Sequence, residues 1–279
     1  MKYIILFLLF INYVSANVDY NLIYNSLILS QNTYCNITNI NCYDDKICND
    51  NNPEIYFQYE NKGSKVIGGY MPYENNIFIS YRGSSNIHNW INNIEFTHYY
   101  PYDFNNSISV EKGFYTEYKY TKDYVVSRLE EMRQKYNTKK LLVTGHSGGA
   151  SLSTLLVYDY LNDETKNIYD YSLVTFGSPR IGNLLFVDDF NKLIKKNNII
   201  TNRITHYYDI VPHLPQEFLN YLHIPNEIWF DEQNYKFKIC DDYNNIEDKN
   251  CSDSCGPIHC TSVDDHLYYL NLSLGSNNC

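Results

Sequence analysis

Apolar positions along the chain change period several times, and each change marks an element. Val18, Leu22, Ile23 and Leu29 recur at roughly helical spacing and predict a first helix over 18–33. The run NIFISY at 76–81 reads as a strand ending at Arg82-Gly83. Residues 113–136 predict a long amphipathic helix. Phe114, Tyr118, Tyr124-Val125 and Leu129-Met132 fall at three- and four-residue steps with charges between them. A buried strand follows at 141–144 and a helix over 148–160. The pattern continues with a strand at 171–176, a helix near 183–195 and a strand at 204–208. Strands alternating with helices predict an α/β fold, a mostly parallel central sheet covered by helices on both faces. Beyond about 225 the periodicity weakens into Trp229, Phe230, Tyr235 and Phe237, which suggest a hairpin. A Cys-rich loop and a last short helix around 264–270 close the chain.

The N-terminus follows none of these periods. A short basic start, the apolar run Ile4 to Ile11 and the small residues Val14-Ser15-Ala16 read as a secretory signal peptide over 1–16. The run is too short for a membrane span, which needs about 20 apolar residues, and no later segment is long and apolar enough. The expected organisation is therefore a signal peptide and one domain over 17–279. All eight cysteines lie in that domain, at its two ends, with none between 49 and 239. An even number behind a signal peptide reads as a disulfide framework that staples the termini. A zinc site from Cys251, Cys255, His259 and Cys260 is the rival reading. Irregular spacing and an oxidising compartment weigh against it. Sequons occur at Asn36, Asn105, Asn250 and Asn271, but 37 asparagines produce sequons by chance. A formal charge of −10 excludes the basic face a nucleic-acid binder needs. Neither a metal nor a cofactor is called for.

Glycine is scarce, twelve in 279 residues, yet Gly145, Gly148 and Gly149 sit together in LLVTGHSGG. Gly145-His146-Ser147-Gly148-Gly149 is a Gly-x-Ser-x-Gly turn between a strand and a helix, the context of a nucleophile elbow. Such a sharp turn strains the serine and leaves no room for side chains two residues away. It also sets the hydroxyl at a helix N-terminus, where negative charge is favoured. A serine nucleophile needs a base, and the base an orienting carboxylate, in the chain order Ser, Asp or Glu, His. Asp209 follows the strand at 204–208, at the end where parallel sheets place catalytic groups. His266 lies in VDDHLYYL near the C-terminus. Spacing by itself leaves His259, Asp188 and Asp189 open.

Five stretches, taken together, resemble one family. They are ISYRGSSNIHNWINNI (79–94), LLVTGHSGGA (141–150), LVTFGSPRIGN (173–183), THYYDIVPHLP (205–215) and DDHLYYL (264–270). In this order they are similar to the secreted fungal-type triacylglycerol lipases, lipase class 3, of the α/β-hydrolase fold. The resemblance implies Ser147 as nucleophile, Asp209 as carboxylate and His266 as base. It implies an oxyanion hole from the N–H of Gly148 and from Ser84 in YRGSS, with Arg180 and Asn183 as structural supports. Many members carry Leu where this chain has Gly148, and a main-chain donor survives that change.

Ile87, Trp90, Ile91 and Ile94 fall at i, i+3, i+4 and i+7 among asparagines and a histidine, so a short uncharged amphipathic helix is expected here. By residue pattern it is a core-facing surface helix. By family position it resembles a lid that covers the site in water and opens at a lipid–water interface. The resemblance also implies the pair Cys35–Cys279, places Cys42–Cys48 and Cys240–Cys251 similarly, and leaves Cys255–Cys260. The implied activity is hydrolysis of carboxylic esters of lipids, foremost triacylglycerols, by a secreted enzyme. A phospholipase or a soluble-ester or feruloyl-type esterase is the nearest alternative. A non-catalytic lipid-binding protein on the same scaffold is the alternative of another class.

Overall fold

The computed structural model describes residues 18–42, 53–93, 95–241 and 247–279. The signal-peptide segment, Cys48 and with it the Cys42–Cys48 pair, and Ile94 lie outside the described residues.

The chain runs α1 (Tyr20–Asn32), β1 (Glu54–Asn61), β2 (Ser64–Met71), β3 (Asn76–Tyr81), α2 (Ile87–Asn93), β4 (His98–Tyr99), β5 (Val110–Glu111), α3 (Lys112–Tyr136) and β6 (Lys140–His146). It continues with α4 (Gly148–Asn162), β7 (Asp170–Phe176), α5 (Leu184–Asn197), β8 (Ile200–His206), β9 (Glu227–Phe230), β10 (Phe237–Ile239), α6 (Gly256–His259), α7 (Val263–His266), β11 (Tyr268–Tyr269) and β12 (Leu272–Ser273). Eight strands form one sheet in the order β1-β2-β3-β6-β7-β8-β9-β10. The five from β3 to β9 are mutually parallel, while β1, β2 and β10 pair antiparallel at the edges. Smaller two-stranded pairs join β4 to β5 and β11 to β12.

The central strands are apolar on both sides because both sides are covered. Ile77, Ile79, Leu141, Val143 and Leu173 face the helices α3, α4 and α5, meeting Leu129, Leu155 and Phe186. Phe78, Leu142, Val174 and Ile204 point the other way, into a core shared with Ile23, Leu27 and Leu29 of α1. Each such buried side chain contributes about 1.5–3 kcal/mol. Helix ends are set locally. Glu111 caps α3 by accepting from the Phe114 N–H, and Asn183 caps α5 by accepting from Phe186. Left-handed Asn137 and Asn198 stop the same two helices.

Two expectations need correction, one strand pair escapes the sequence pattern, and one rival reading falls away. The strand pair β1–β2 was not legible. β2 carries Gly68-Gly69 in its interior, which reads as a break. A Cβ at Gly68 would meet the Phe57 ring at 2.3 Å and one at Gly69 the Glu54 carbonyl at 1.9 Å, so glycine lets β1 cross closely at its bulge. The strand expected at 204–208 is Ile200–His206, because Tyr207 takes a positive φ of 33°. The helix expected over 264–270 ends at His266. Leu270 and Asn271 take left-handed angles and turn the chain into the β11–β12 hairpin. Finally, the rival zinc set is not assembled: its cysteines are bridged and His259 is exposed.

Cys35–Cys279, Cys240–Cys251 and Cys255–Cys260 are disulfides. The first ties the end of α1 to the last residue of the chain, 244 positions away. The expected β9–β10 hairpin is present. No helix among the described residues is long and apolar enough to cross a membrane.

Candidate active site

Ser147 lies at the junction of β6 and α4 with φ 59° and ψ −132°, a conformation that strains any residue with a side chain. The elbow closes because its flanks are bare. A Cβ at Gly145 would lie 2.4 Å from the Gly149 carbonyl oxygen, and one at Gly149 would lie 2.2 Å from that of Tyr81. The N–H of Ser147 donates to the Phe176 carbonyl at the end of β7 at 2.9 Å, which pins the turn to the sheet. Gly148 differs: a Cβ there meets nothing within 4 Å. The loop carrying Ser84 presses on the elbow at Gly83, where a Cβ would come within 2.7 Å of the Ser147 Cβ. Ser84 itself is half-buried, and its hydroxyl accepts from the Asn86 N–H at 3.2 Å, at the start of α2.

Asp209 stands three residues beyond β8. The segment around it is laced to the approach to α7: Ser262 donates to the Tyr208 carbonyl and Ile210 donates to that of Ser262. Ser262 then caps α7 by accepting from the Asp265 N–H. His266, the last residue of α7, thus arrives beside Asp209. Its Nδ1 lies 2.9 and 3.0 Å from the two carboxylate oxygens. A carboxylate only accepts, so Nδ1 carries the hydrogen and Nε2 presents a lone pair. That Nε2 and the Ser147 hydroxyl are both buried and, among the described residues, both without a hydrogen-bond partner. Burial would raise the Asp209 carboxyl. The His266 imidazole, the Tyr269 hydroxyl (2.5 Å) and the Val211 N–H (2.8 Å) outweigh it and hold the acid below its ordinary value. Gly177, with φ 53°, leaves the space this pair occupies: a Cβ there would meet Asp209 Oδ2 and His266 Nδ1 at 2.8 Å each.

The positions left open by spacing fall elsewhere. Asp188 and Asp189 lie on α5, where Asp189 accepts from the Tyr158 hydroxyl. His206 is held between the Asp265 carbonyl and Asn234, and His223 donates to the Pro212 carbonyl. Arg180 forms a buried pair with Glu247 at 2.7 Å through Nε, and Asn183 joins Ser107, Ser109 and Phe186. These contacts tie together chain segments distant in sequence. Tyr269, Gly83 and Gly177 were missed. Tyr269 was hidden among 30 tyrosines, and the two glycines are explained only by chain segments distant in sequence.

Beside the elbow, α2 presents Ile87 buried, with Trp90 and Ile91 half-buried. Trp90 stacks on Phe114, ring centres 6.1 Å apart. A cavity of about 410 Å³ between α2 and α3 is lined by Ser84, Trp90, Phe114 and the carboxylates Glu95, Glu111 and Glu117. A second, of about 500 Å³, runs from Ser84 and Ile87 to Leu267 and Leu274. Ser84 borders both, whereas Ser147 and His266 line neither and are fully buried. The constellation is closed over.

Comparison with known proteins agrees with this geometry. The family described as Lipase (class 3) matches residues 78–219, half of the chain. The chain is 32% identical over 206 residues to a lipase of Rhizomucor miehei, an overlap of 72% of this chain and 54% of that one. It is 31% identical over 195 residues to the secreted mono- and diacylglycerol lipase 1 of Fusarium solani, covering 66% and 56%. It therefore spans about half the length of the curated relatives it matches. The solved structure of Rhizomucor miehei triacylglyceride lipase superposes with a TM-score of 0.79 at 28% identity, over 94% of this chain and 97% of the other. The fold is accordingly that of the fungal lipases, an α/β-hydrolase with a mostly parallel sheet and stapled termini. By family match, sequence and fold alike, the chain belongs to the class 3 lipases.

Proposed function

We propose that the chain is a secreted serine hydrolase that cleaves carboxylic esters of acylglycerols, triacylglycerols foremost. One observation carries the reading. A strained elbow serine and the Nε2 of a carboxylate-bound histidine are each buried and each without a hydrogen-bond partner among the described residues.

Ser147 Oγ attacks the ester carbonyl and His266 Nε2 takes its proton. Asp209 keeps Nδ1 protonated and stabilises the imidazolium. The N–H of Gly148 and the N–H and hydroxyl of Ser84 meet the tetrahedral oxyanion. The Ser84 hydroxyl can donate to the oxyanion while it accepts from the Asn86 N–H, because accepting leaves its own hydrogen for donation. His266 returns the proton to the leaving alcohol, and water repeats the sequence on the acyl-enzyme.

Burial of Ser147 and His266 supports a lid role for α2. Rolling it aside would bare Ile87, Trp90 and Ile91 to a lipid surface. Ile94 completes the apolar face in the sequence. Secretion rests on the N-terminal pattern, the bridged cysteines and a relative named as secreted. All four sequon asparagines are exposed.

The test is hydrolysis of a triglyceride emulsion, a phospholipid vesicle and a short soluble ester by mature protein and by Ser147→Ala. The expected result is a rate fastest on triglyceride and reduced at least a thousandfold by the substitution. Phospholipid or short-ester preference would reassign the substrate. Full activity in Ser147→Ala would discard the mechanism, and a folded wild type unlabelled by a fluorophosphonate would favour the binding role.

A further inference from the structure

The residue before the nucleophile is a histidine that the proposed chemistry does not use. His146 is 1% exposed, and its ring stacks on that of His266, centres 4.4 Å apart and tilted by 30°. Its Nε2 lies 2.8 Å from the main-chain carbonyl oxygen of His266, and its Nδ1 lies 2.7 Å from the Tyr34 hydroxyl. A carbonyl can only accept, so Nε2 carries the hydrogen and donates. Nδ1 then accepts from Tyr34. One neutral tautomer satisfies both contacts.

The groups facing this ring are Tyr34, His266, Asp209 and Tyr269. Burial, then the neighbouring His266, push His146 down to about 3. It stays neutral while His266 cycles through its charged form, and so neither competes for the proton nor repels the imidazolium.

Tyr34 is held from outside the catalytic loops. It follows α1, and its N–H donates to the Gln31 carbonyl. Cys35 next to it is bridged to Cys279. Gln31 exchanges hydrogen bonds with Gly275 and also donates to the Asn278 carbonyl. The Tyr34 hydroxyl also fills the space a side chain at Gly83 would need, 2.5 Å from that Cβ position.

We infer that Tyr34 and His146 are positioning residues: the Tyr34 hydroxyl donates to His146 Nδ1 and fixes the ring, whose Nε2–H holds the main chain of His266 and so seats the base imidazole. The inference rests on the reading of His266 as the base. Without the Tyr34 hydroxyl, the buried Nδ1 of His146 loses its donor and the ring loses one of its two anchors. The ring then shifts, its hold on the His266 carbonyl loosens and the base moves out of line. Misplacing a general base by a fraction of an ångström is costly in rate and leaves ground-state binding intact.

The experiment compares wild type, Tyr34→Phe, His146→Phe and Leu27→Ala as full mature chains. It reads kcat and KM on a short soluble ester, the rate of fluorophosphonate labelling and Tm. Tyr34→Phe keeps the ring and should lower kcat about tenfold with KM within twofold, labelling slowing in parallel. His146→Phe should do at least as much. Leu27→Ala opens a cavity in the core beneath α1. It should lower Tm at least as far as Tyr34→Phe without moving kcat. If kcat in Tyr34→Phe stays within twofold of wild type, or falls no further than in Leu27→Ala, the inference is overturned. Should His146→Phe fail to fold, the Tyr34→Phe result decides. A wild type that neither labels nor turns over ester would instead strike the reading of the site itself.

Discussion

Two adjacent glycines show how much the elbow depends on single atoms. Gly149 has a carbonyl oxygen 2.2 Å from where its Cβ would be, and that oxygen belongs to the main chain of Tyr81 and cannot step aside. Gly149→Ala should therefore destabilise the fold by about 3 kcal/mol or more and abolish phosphonate labelling. Gly148 opens onto free space at the start of α4, so Gly148→Leu should hold or raise stability by up to about 1 kcal/mol. Thermal or urea unfolding of the two variants separates them. Tyr269 makes a different kind of contact, donating to the carboxylate that orients His266. Tyr269→Phe removes one of the groups that lower Asp209, so its pKa should rise. The low-pH limb of the kcat/KM profile should move upward, with kcat reduced several-fold at neutral pH. A pH profile superposable on that of wild type would count against that role for the hydroxyl.

Among the elements, α2 has seven residues and an amide-rich outer face, and it is held by Trp90 on Phe114 and by buried Ile87. Asn86 caps it, accepting from the Asn89 N–H. A helix this short has little stability of its own and depends on its packing. Trp90→Ala should cost about 1 kcal/mol or less in unfolding, because the ring is only half-buried. It should lower hydrolysis of emulsified triglyceride more than hydrolysis of a soluble ester. Equal loss on both substrates would leave α2 a surface helix, as its residue pattern by itself reads. The element boundaries that sequence periodicity placed well are those of strands buried on both faces and of long amphipathic helices. Those it misplaced are decided by backbone conformation: the turn at Leu270-Asn271, the positive φ of Tyr207 and the paired glycines of β2.

At the scale of the whole molecule, the loops that carry the site are anchored by a buried ion pair and by bridges. Burial opposes the Glu247 charge, but His223 and the Arg180 guanidinium outweigh it and bring the carboxyl down to about 2. Its ordinary value is 4.5. A depressed folded value stabilises fully above the unfolded one and is lost as pH falls between the two. Acid unfolding should therefore draw on this pair between about pH 4.5 and pH 2. Glu247→Gln leaves buried Arg180 without its close carboxylate partner, with Glu217 at 4.0 Å the nearer of those that remain. It should cost about 3–5 kcal/mol at pH 7 and flatten the fall in Tm over the same window. Calorimetry of both proteins across that range is the check; parallel curves would show that the pair contributes no pH dependence.

The amino-acid sequence by itself determined the α/β class, the elbow, the family and a short set of acid and base candidates. These depend on local period, on scarce glycines and on motifs whose residues are contiguous. Spacing left Asp188, Asp189 and His259 beside the Asp209 and His266 that the resemblance implied, and only the tertiary structure shows those two in contact, because a hydrogen bond across 57 residues leaves no mark on spacing. The same holds for Gly177 as the floor of the pair and for Tyr34 and His146 behind His266, whereas the three bridges described were already implied by the resemblance. Each is defined by contacts between segments that meet only when the sheet has closed.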